Sequence, residues 1–459
     1  MAILVLLSAV FALTSCTVAQ AGDYPWVHYF DTPSCADHPS IHFAFPDGEG
    51  NVIVSTGDWV PDYWPNEKYY DYRPGALYRV NEGVKQTIDA PENTYVLDAA
   101  VDGQGRTWII SAEASSYHVY YRNGLCVEDK GYPLPQSFGY GRYRFPESPL
   151  AEAYGGLDKP ALGTLRAGRF VRLPEVTEAI PGTPRGICVD AQGHVFLMTS
   201  EWDPWEFTAY FVSWWGAEGP ESLRTLDLWQ IIPNSWLRDY PQFAPDGVAY
   251  LLIVYNAGGP GAGYDYALLR LDPKTGEYCV YRNTDYAYLD SEVRCFYIDP
   301  MGIIWLGTED GLVRFDGQTL SRWTTENSGL PYNAVRQIVY DEIDDVYYVI
   351  SEKDIGWDTS MLFSMLSPVG DAIGAPFILP TVANRLFQFS KVFRDGRGVF
   401  WLCPYEASRA YSYDHERVMQ WYAADWMELV SNVHYVGSTA SGRTFCVAGG
   451  YGASCVMIW

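Results

Sequence analysis

The sequence is short of positive charge. Its 459 residues carry 31 Lys and Arg against 56 Asp and Glu, a net charge of −25. A chain that acidic repels phosphate backbones, which excludes nucleic acid as a partner. Long apolar runs are also missing: residues 3–13 form the longest, well under the roughly 20 residues of a spanning helix. No segment of more than about three turns repeats its apolar positions at helical spacing, so long helices are not expected. The seven histidines are scattered, with no His-x-His or Cys-x-x-Cys spacing, so neither metal nor cofactor is expected. There is no Gly-x-Ser-x-Gly elbow, and the glycine-rich 258–263 lacks the Lys-Ser/Thr of a phosphate loop. No catalytic constellation is legible.

Aromatic residues, by contrast, are abundant: 17 Trp, 36 Tyr and 20 Phe in a chain that is 48% hydrophobic, ample for a large core. The short apolar run at the N-terminus suits the central region of a signal peptide, and residues 1–21 are assigned to it. Two processing sites compete. Leu13-Thr14-Ser15-Cys16 resembles a bacterial lipobox, which would make Cys16 a lipidated N-terminus. Ala19-Gln20-Ala21 before Gly22 suits ordinary signal peptidase. Either places the protein outside the cytoplasm, with any membrane contact through the lipid alone. Eight further cysteines follow, mostly in strand-like runs where a thiol is a small buried hydrophobe. Cys446 and Cys455, across a short hairpin, are the candidate disulfide.

The informative pattern is a repeat. An apolar strand, an Asp that opens a Gly-containing turn and a second apolar strand recur with Asp47, Asp102, Asp190, Asp246, Asp299, Asp341 and Asp395. The intervals are 55, 88, 56, 53, 42 and 54 residues. The long interval holds a degenerate copy without the turn, and a last copy ends the chain. Periods of 40–55 residues with four short strands each are those of propeller blades. Residues 22–459 therefore read as one all-β domain, a single β-propeller of four-stranded blades. Nine units are counted, or eight if the degenerate third copy is an insertion. The last unit supplies three strands and residues 25–32 a lone one, so the N-terminal strand is expected to complete the last blade and remove two open edges.

The unit at 299–331, with Asp299, Gly302, Trp305, Gly307, Thr308, Gly311, Leu312, Asp316, Gly317, Gly329, Leu330 and Pro331, resembles the two-component-regulator propeller repeat. The units at Asp102 (with Trp108) and Asp395 (with Trp401) match in part. The resemblance implies an extracytoplasmic propeller and structural roles for these residues: glycines in turns, Trp as a wedge between blades, Asp capping turn amides. Such propellers often precede a membrane span and a histidine kinase, and no transmitter segment is found in this sequence.

Within each unit the second and third strands (b and c) join on the face where propeller ligands sit. These connections carry Trp59, Tyr63 and Trp64 in the first unit, Trp202 and Trp205 in the fourth, Tyr264 in the fifth and Trp357 in the seventh. They are read as loops. Flat aromatics beside carboxylates suit a sugar, whose C–H face stacks on the ring while acids accept its hydroxyls; mutual burial as lids is the alternative. Five residues before the turn Asp stand Arg185, Arg294 and Arg336; His42 takes that place in the first unit, and Leu97 and Ser390 break the series. The arginines suit either a basic collar for a carboxylate or sulfate, or ion pairs between blades. The reading is a monomeric, exported, lipid-anchored binding module for a carbohydrate or a partner protein. The alternative is a polysaccharide lyase or glycoside hydrolase using acids and arginines at the channel mouth.

Overall fold

The computed structural model describes residues 19–20, 27–29, 40–64, 67–81, 84–91, 94–113, 118–122, 125–126, 143–144, 161–166, 168–201, 209–256, 264–282, 291–355, 358–366, 389–404, 409–414, 418–422, 432–450 and 453–458. Nearly every element is an antiparallel strand; the only α-helices among these residues are Pro174–Ala179 and Leu228–Ile231. Among the described residues the molecule is an all-β propeller of small sheets, half of them four-stranded, whose strands a, b and c follow in chain order.

Sheet 1 begins with Ser40–Pro46, Val52–Trp64, Glu67–Asn81 and Val84–Thr87. Sheet 2 takes Thr94–Val101 and Thr107–Glu113 for a and b, then Ala161–Arg166 and Arg169–Arg172 for c and d. Sheet 3 starts at Thr183–Val189, sheet 4 at Ser235–Leu237, sheet 5 at Val293–Ile298 and sheet 6 at Ala334–Asp341. Sheet 7 starts at Phe389–Arg394 and sheet 8 at Asn432–Ser438.

Nine blades is therefore too many. The degenerate third copy makes no sheet of its own, because its last two strands complete sheet 2 against Thr107–Glu113. Eight equal blades do not form either. Continuous buried clusters join sheets 1 to 6 pairwise, among them Trp108, Ile187 and Trp215 between sheets 2 and 3, and Trp305, Val335 and Tyr347 between sheets 5 and 6. Six blades share that core. The two sheets nearest the chain's C-terminus have buried residues of their own, Trp401 and Phe445 among them, and meet their neighbours where Tyr348 lies edge-on to Phe400, Thr444 donates to Asp395 at 2.7 Å, and Arg443 donates to Asn81 of sheet 1 at 2.8 Å. Val27–Tyr29 pairs antiparallel with Ala453–Ile458, the last strand of sheet 8, as the orphan N-terminal strand suggested.

The repeated Asp shapes the a–b turn in five of the sheets. Asp102 Oδ1 accepts the N–H groups of Gln104 and Arg106, both at 2.9 Å, and the same pattern holds at Asp47, Asp190, Asp299 and Asp395. The second oxygen takes the motif tryptophan: Trp108, Trp305 and Trp401 donate to Asp102, Asp299 and Asp395 at 3.0, 3.0 and 3.1 Å. In sheet 4 the turn opens at Ala244 rather than Asp246: the Ala244 and Gly247 amides make the turn bonds, so the repeat there begins two residues earlier. Adjacent turns touch. A Cβ at Gly48 would lie 2.7 Å from Gly105 Cα, which is why that position carries no side chain.

Candidate functional site

The b–c end of the propeller is built by a backbone device the sequence did not reveal. Strand a of seven sheets slips register, at Ile41/Phe43, Val96/Asp98, Pro184/Gly186, Val293/Cys295, Val335/Gln337, Phe389/Lys391 and Val433/Tyr435. The extra residue at each is the one five before the turn residue: His42, Leu97, Arg185, Arg294, Arg336, Ser390 and His434. Sheet 4 breaks its first strand at the same level, between Leu237 and Gln242. A β-bulge leaves one residue out of the ladder and re-aims it. The arginines mark the bulges, and Leu97 and Ser390 occupy bulges just as they do.

The arginines do not form a free basic collar. Arg294 pairs with Glu292 at 2.9 Å and with Glu309; Arg336 pairs with Glu309 at 3.2 Å and with Glu352; Arg238 reaches Glu292 at 3.5 Å. Glu292 thus links sheets 4 and 5, and Glu309 links sheets 5 and 6, in a ladder of alternating charge. Arg185 is apart from it. It is buried in sheet 3, where its Nε donates to Ser200 at 2.7 Å. Burial pushes the neighbouring Tyr210 hydroxyl above its ordinary pKa, while the Arg185 charge works the other way. Of the two alternatives weighed above, Arg336 makes the inter-blade pair, to Glu309 of sheet 5, whereas both acids of Arg294 belong to its own sheet.

The acids of this ladder were missed, although a signal existed. An acid stands ten or eleven residues after the turn Asp in six units, at Asp58, Glu113, Glu201, Glu309, Glu352 and Glu406. Glu309 and Glu352 are the partners described above; Glu201 ends strand b of sheet 3 and is exposed. Glu406 lies outside the described residues.

Of the predicted aromatics, Tyr264 is 61% exposed and meets Trp236 edge-on, ring centroids 5.1 Å apart, beside the Arg238 end of the ladder. Trp59, Tyr63 and Trp64 are not in a loop: all three belong to strand Val52–Trp64, which continues past the blade as a hairpin with Glu67–Asn81. Trp202, Trp205, Trp357 and the lipidation candidate Cys16 lie outside the described residues. Cys446 is buried, is not disulfide-bonded and faces Met457, and Cys455 faces Ala448. That diagonal offset exceeds disulfide reach, which corrects the expected pair. Burial also raises the Cys295 thiol to about 12.

Deeper in the same end, Asp98 ties three sheets together. Its carboxylate accepts the Ile187 N–H of sheet 3 at 2.8 Å and the Tyr240 hydroxyl of sheet 4 at 2.8 Å. Tyr240 reaches it across Gly186, where a Cβ would stand 2.7 Å from the ring. Among the described residues no group of three His, Cys, Asp or Glu side chains is placed to hold a metal ion, and no helix is long and apolar enough to cross a membrane.

No family model matches the chain, and no curated protein matches it. Solved structures do. The extracellular domain of the one-component system BT4673 from B. thetaiotaomicron is 11% identical at a TM-score of 0.39, over 91% of this chain and 58% of that one. The chain thus spans little more than half of that protein's length. Sqt1 of Chaetomium thermophilum, solved with the N-terminus of ribosomal protein L10, is 10% identical at 0.45, over 94% and 98%. YCF48 bound to D1 peptide is 11% identical at 0.36, over 96% and 99%. At such identities the likeness concerns architecture alone.

Proposed function

We propose that the protein is an exported, lipid-anchored β-propeller that works as a binding module. On this reading residues 1–21 are the leader, Cys16 the anchor point, and 22–459 a ring joined where the N-terminal strand meets the last sheet. The ligand, a partner protein or a carbohydrate, sits on the b–c face over sheets 4 to 6. The observation that carries this reading is the partly exposed Arg–Glu ladder beside the Trp236–Tyr264 pair. An aromatic platform next to a strip of fixed, alternating charge supplies stacking surface, register and specificity in one place. The acids there are engaged by arginines, so the strip favours a ligand with charges of its own.

Glycan and peptide arrays probed with the purified protein and with Tyr264→Ala, Glu309→Ala and the opposite-face variant Gln104→Ala test it. Binding should weaken at least tenfold in the first two and stay unchanged in the third. Loss confined to Gln104→Ala, or binding indifferent to all three, would remove the site from this face.

A further inference from the structure

At the b–c end of sheet 4 two asparagines stand side by side. Strand Ser235–Leu237 pairs with Ala249–Tyr255, Ser235 facing Tyr255, and just beyond that pair the Asn256 N–H donates to the Asn234 carbonyl at 3.3 Å. Tyr255 also faces Asp265, so Asn256 and Tyr264 each stand one residue past that pair. Alternation puts Asn256, Tyr264 and Trp236 on one side of the sheet, away from the Tyr255 side chain. The Trp236 and Tyr264 rings meet there at 88° and form a right-angled corner at the rim. The side-chain oxygens of Asn234 and Asn256 are both shielded from solvent, and neither accepts a hydrogen bond. A buried acceptor without a donor is costly, and rare in a folded protein. Asn234 has a left-handed backbone, φ 57°, which favours Asn for a reason of its own. That does not account for its unpaired oxygen, nor for Asn256, whose backbone is not left-handed.

We infer that this corner is a site for an ammonium group, and that its occupant is a lysine side chain of a partner protein. This rests on the binding-module reading above and selects one of its two ligand classes. Both amide oxygens lack a donor, and hydrogen bonds from a charged N–H are roughly twice as strong as neutral ones. Aromatic faces attract a cation, those of tryptophan most of all. An anion would bring the oxygens no donor. A sugar stacks on an open ring face, and here one of the two faces is covered by the edge of the other ring. Formal charge agrees. Asp265 adjoins Tyr264, and the chain carries −25 overall, which steers a cationic partner toward it. Arg238 stands four residues along from Asn234, roughly 13 Å at strand rise, and is paired with Glu292 at 3.5 Å. Entry requires Tyr264 to turn aside, which a side chain 61% exposed does rapidly.

Calorimetric titration of the purified protein with a short lysine peptide capped at both ends tests this, beside the same peptide Nε-acetylated and neutral dextran. The lysine peptide should bind, with the acetylated peptide and dextran bound at least tenfold more weakly. Tyr264→Ala should weaken lysine binding about tenfold. Asn256→Asp, which exchanges an amide oxygen for a charged one, should tighten it about tenfold. Gln104→Asp on the opposite face adds the same charge and should change nothing. Unchanged melting temperatures in the three variants guard against misfolding. Equal tightening in Gln104→Asp would reduce the effect to overall charge and overturn the inference. So would no response to Asn256→Asp, or free and acetylated lysine bound alike. Dextran bound in a Tyr264-dependent way, with no lysine binding, overturns it while keeping the binding-module reading. Array ligands indifferent to both Tyr264→Ala and Glu309→Ala would remove that reading as well.

Discussion

At the scale of single residues, the turn aspartates do more than cap amides. Asp102 is almost fully buried, which works against its ionised form. Hydrogen bonds from the Trp108 ring N–H, the Arg106 side chain and the amides of Arg106 and Gln104 outweigh that, and its pKa is lowered. A folded pKa below the unfolded one means stability that is complete above the unfolded value of about 3.9 and is lost as pH falls below it toward the folded value. Asp102→Asn should therefore flatten the acid limb of the stability curve below about pH 4. At pH 7 it should cost about 1–3 kcal/mol, since an amide nitrogen would confront the Trp108 and Arg106 donors. Urea melts from pH 3 to 7 measure both effects. Parallel curves for variant and wild type would show that the carboxylate's charge contributes nothing.

At the scale of strands and turns, legibility follows the range of the interaction. The Asp-Gly turn and the tryptophan six residues on close within one hairpin, so local sequence displays them. The bulge arginines were visible as a series, but apart from Glu292, two residues before Arg294, their partners Glu309 and Glu352 lie fifteen or more residues away, and only the folded sheets bring them together. The hairpin arm was misread for a different reason: Gly57, Pro61 and Pro74 are turn-forming residues, and they masked the alternation of Trp59, Pro61 and Tyr63 that the strand needs. Gly186 is the sharpest test at this scale. Gly186→Ala would push Tyr240 off Asp98, cutting the link between sheets 2 and 4, at a cost of about 1–3 kcal/mol. Tyr240→Phe removes the same hydroxyl without the clash. If the bond is what Gly186 protects, the double variant should be less destabilised in thermal melts than the two singles added together. Strict additivity would mean that the small residue serves only local packing.

At the scale of the whole molecule, the question is whether first and last sheets share one energetic unit. In an open array each sheet leans only on its neighbours and the terminal ones fray. In a joined ring the ends protect each other. The contact that distinguishes the two is Arg443 to Asn81, residues 362 apart in sequence, with Asn81 in turn donating to Asn51 at 3.3 Å. A double-mutant cycle on Asn81→Ala and Arg443→Ala should give a coupling of about 0.5–1.5 kcal/mol if that contact persists in solution. Hydrogen exchange gives the independent reading: amides of Thr444–Gly450 in sheet 8 should be protected nearly as well as those of Ile304–Thr308 in sheet 5. Removing the pairing of Val27–Tyr29 with Ala453–Ile458 by Val27→Pro should lower protection in sheet 8 first and in sheet 1 next. The order follows from the chain of contacts through which the two ends are held. Zero coupling together with rapid exchange confined to sheets 7 and 8 would mean that six blades carry the structure and the ends merely rest against one another.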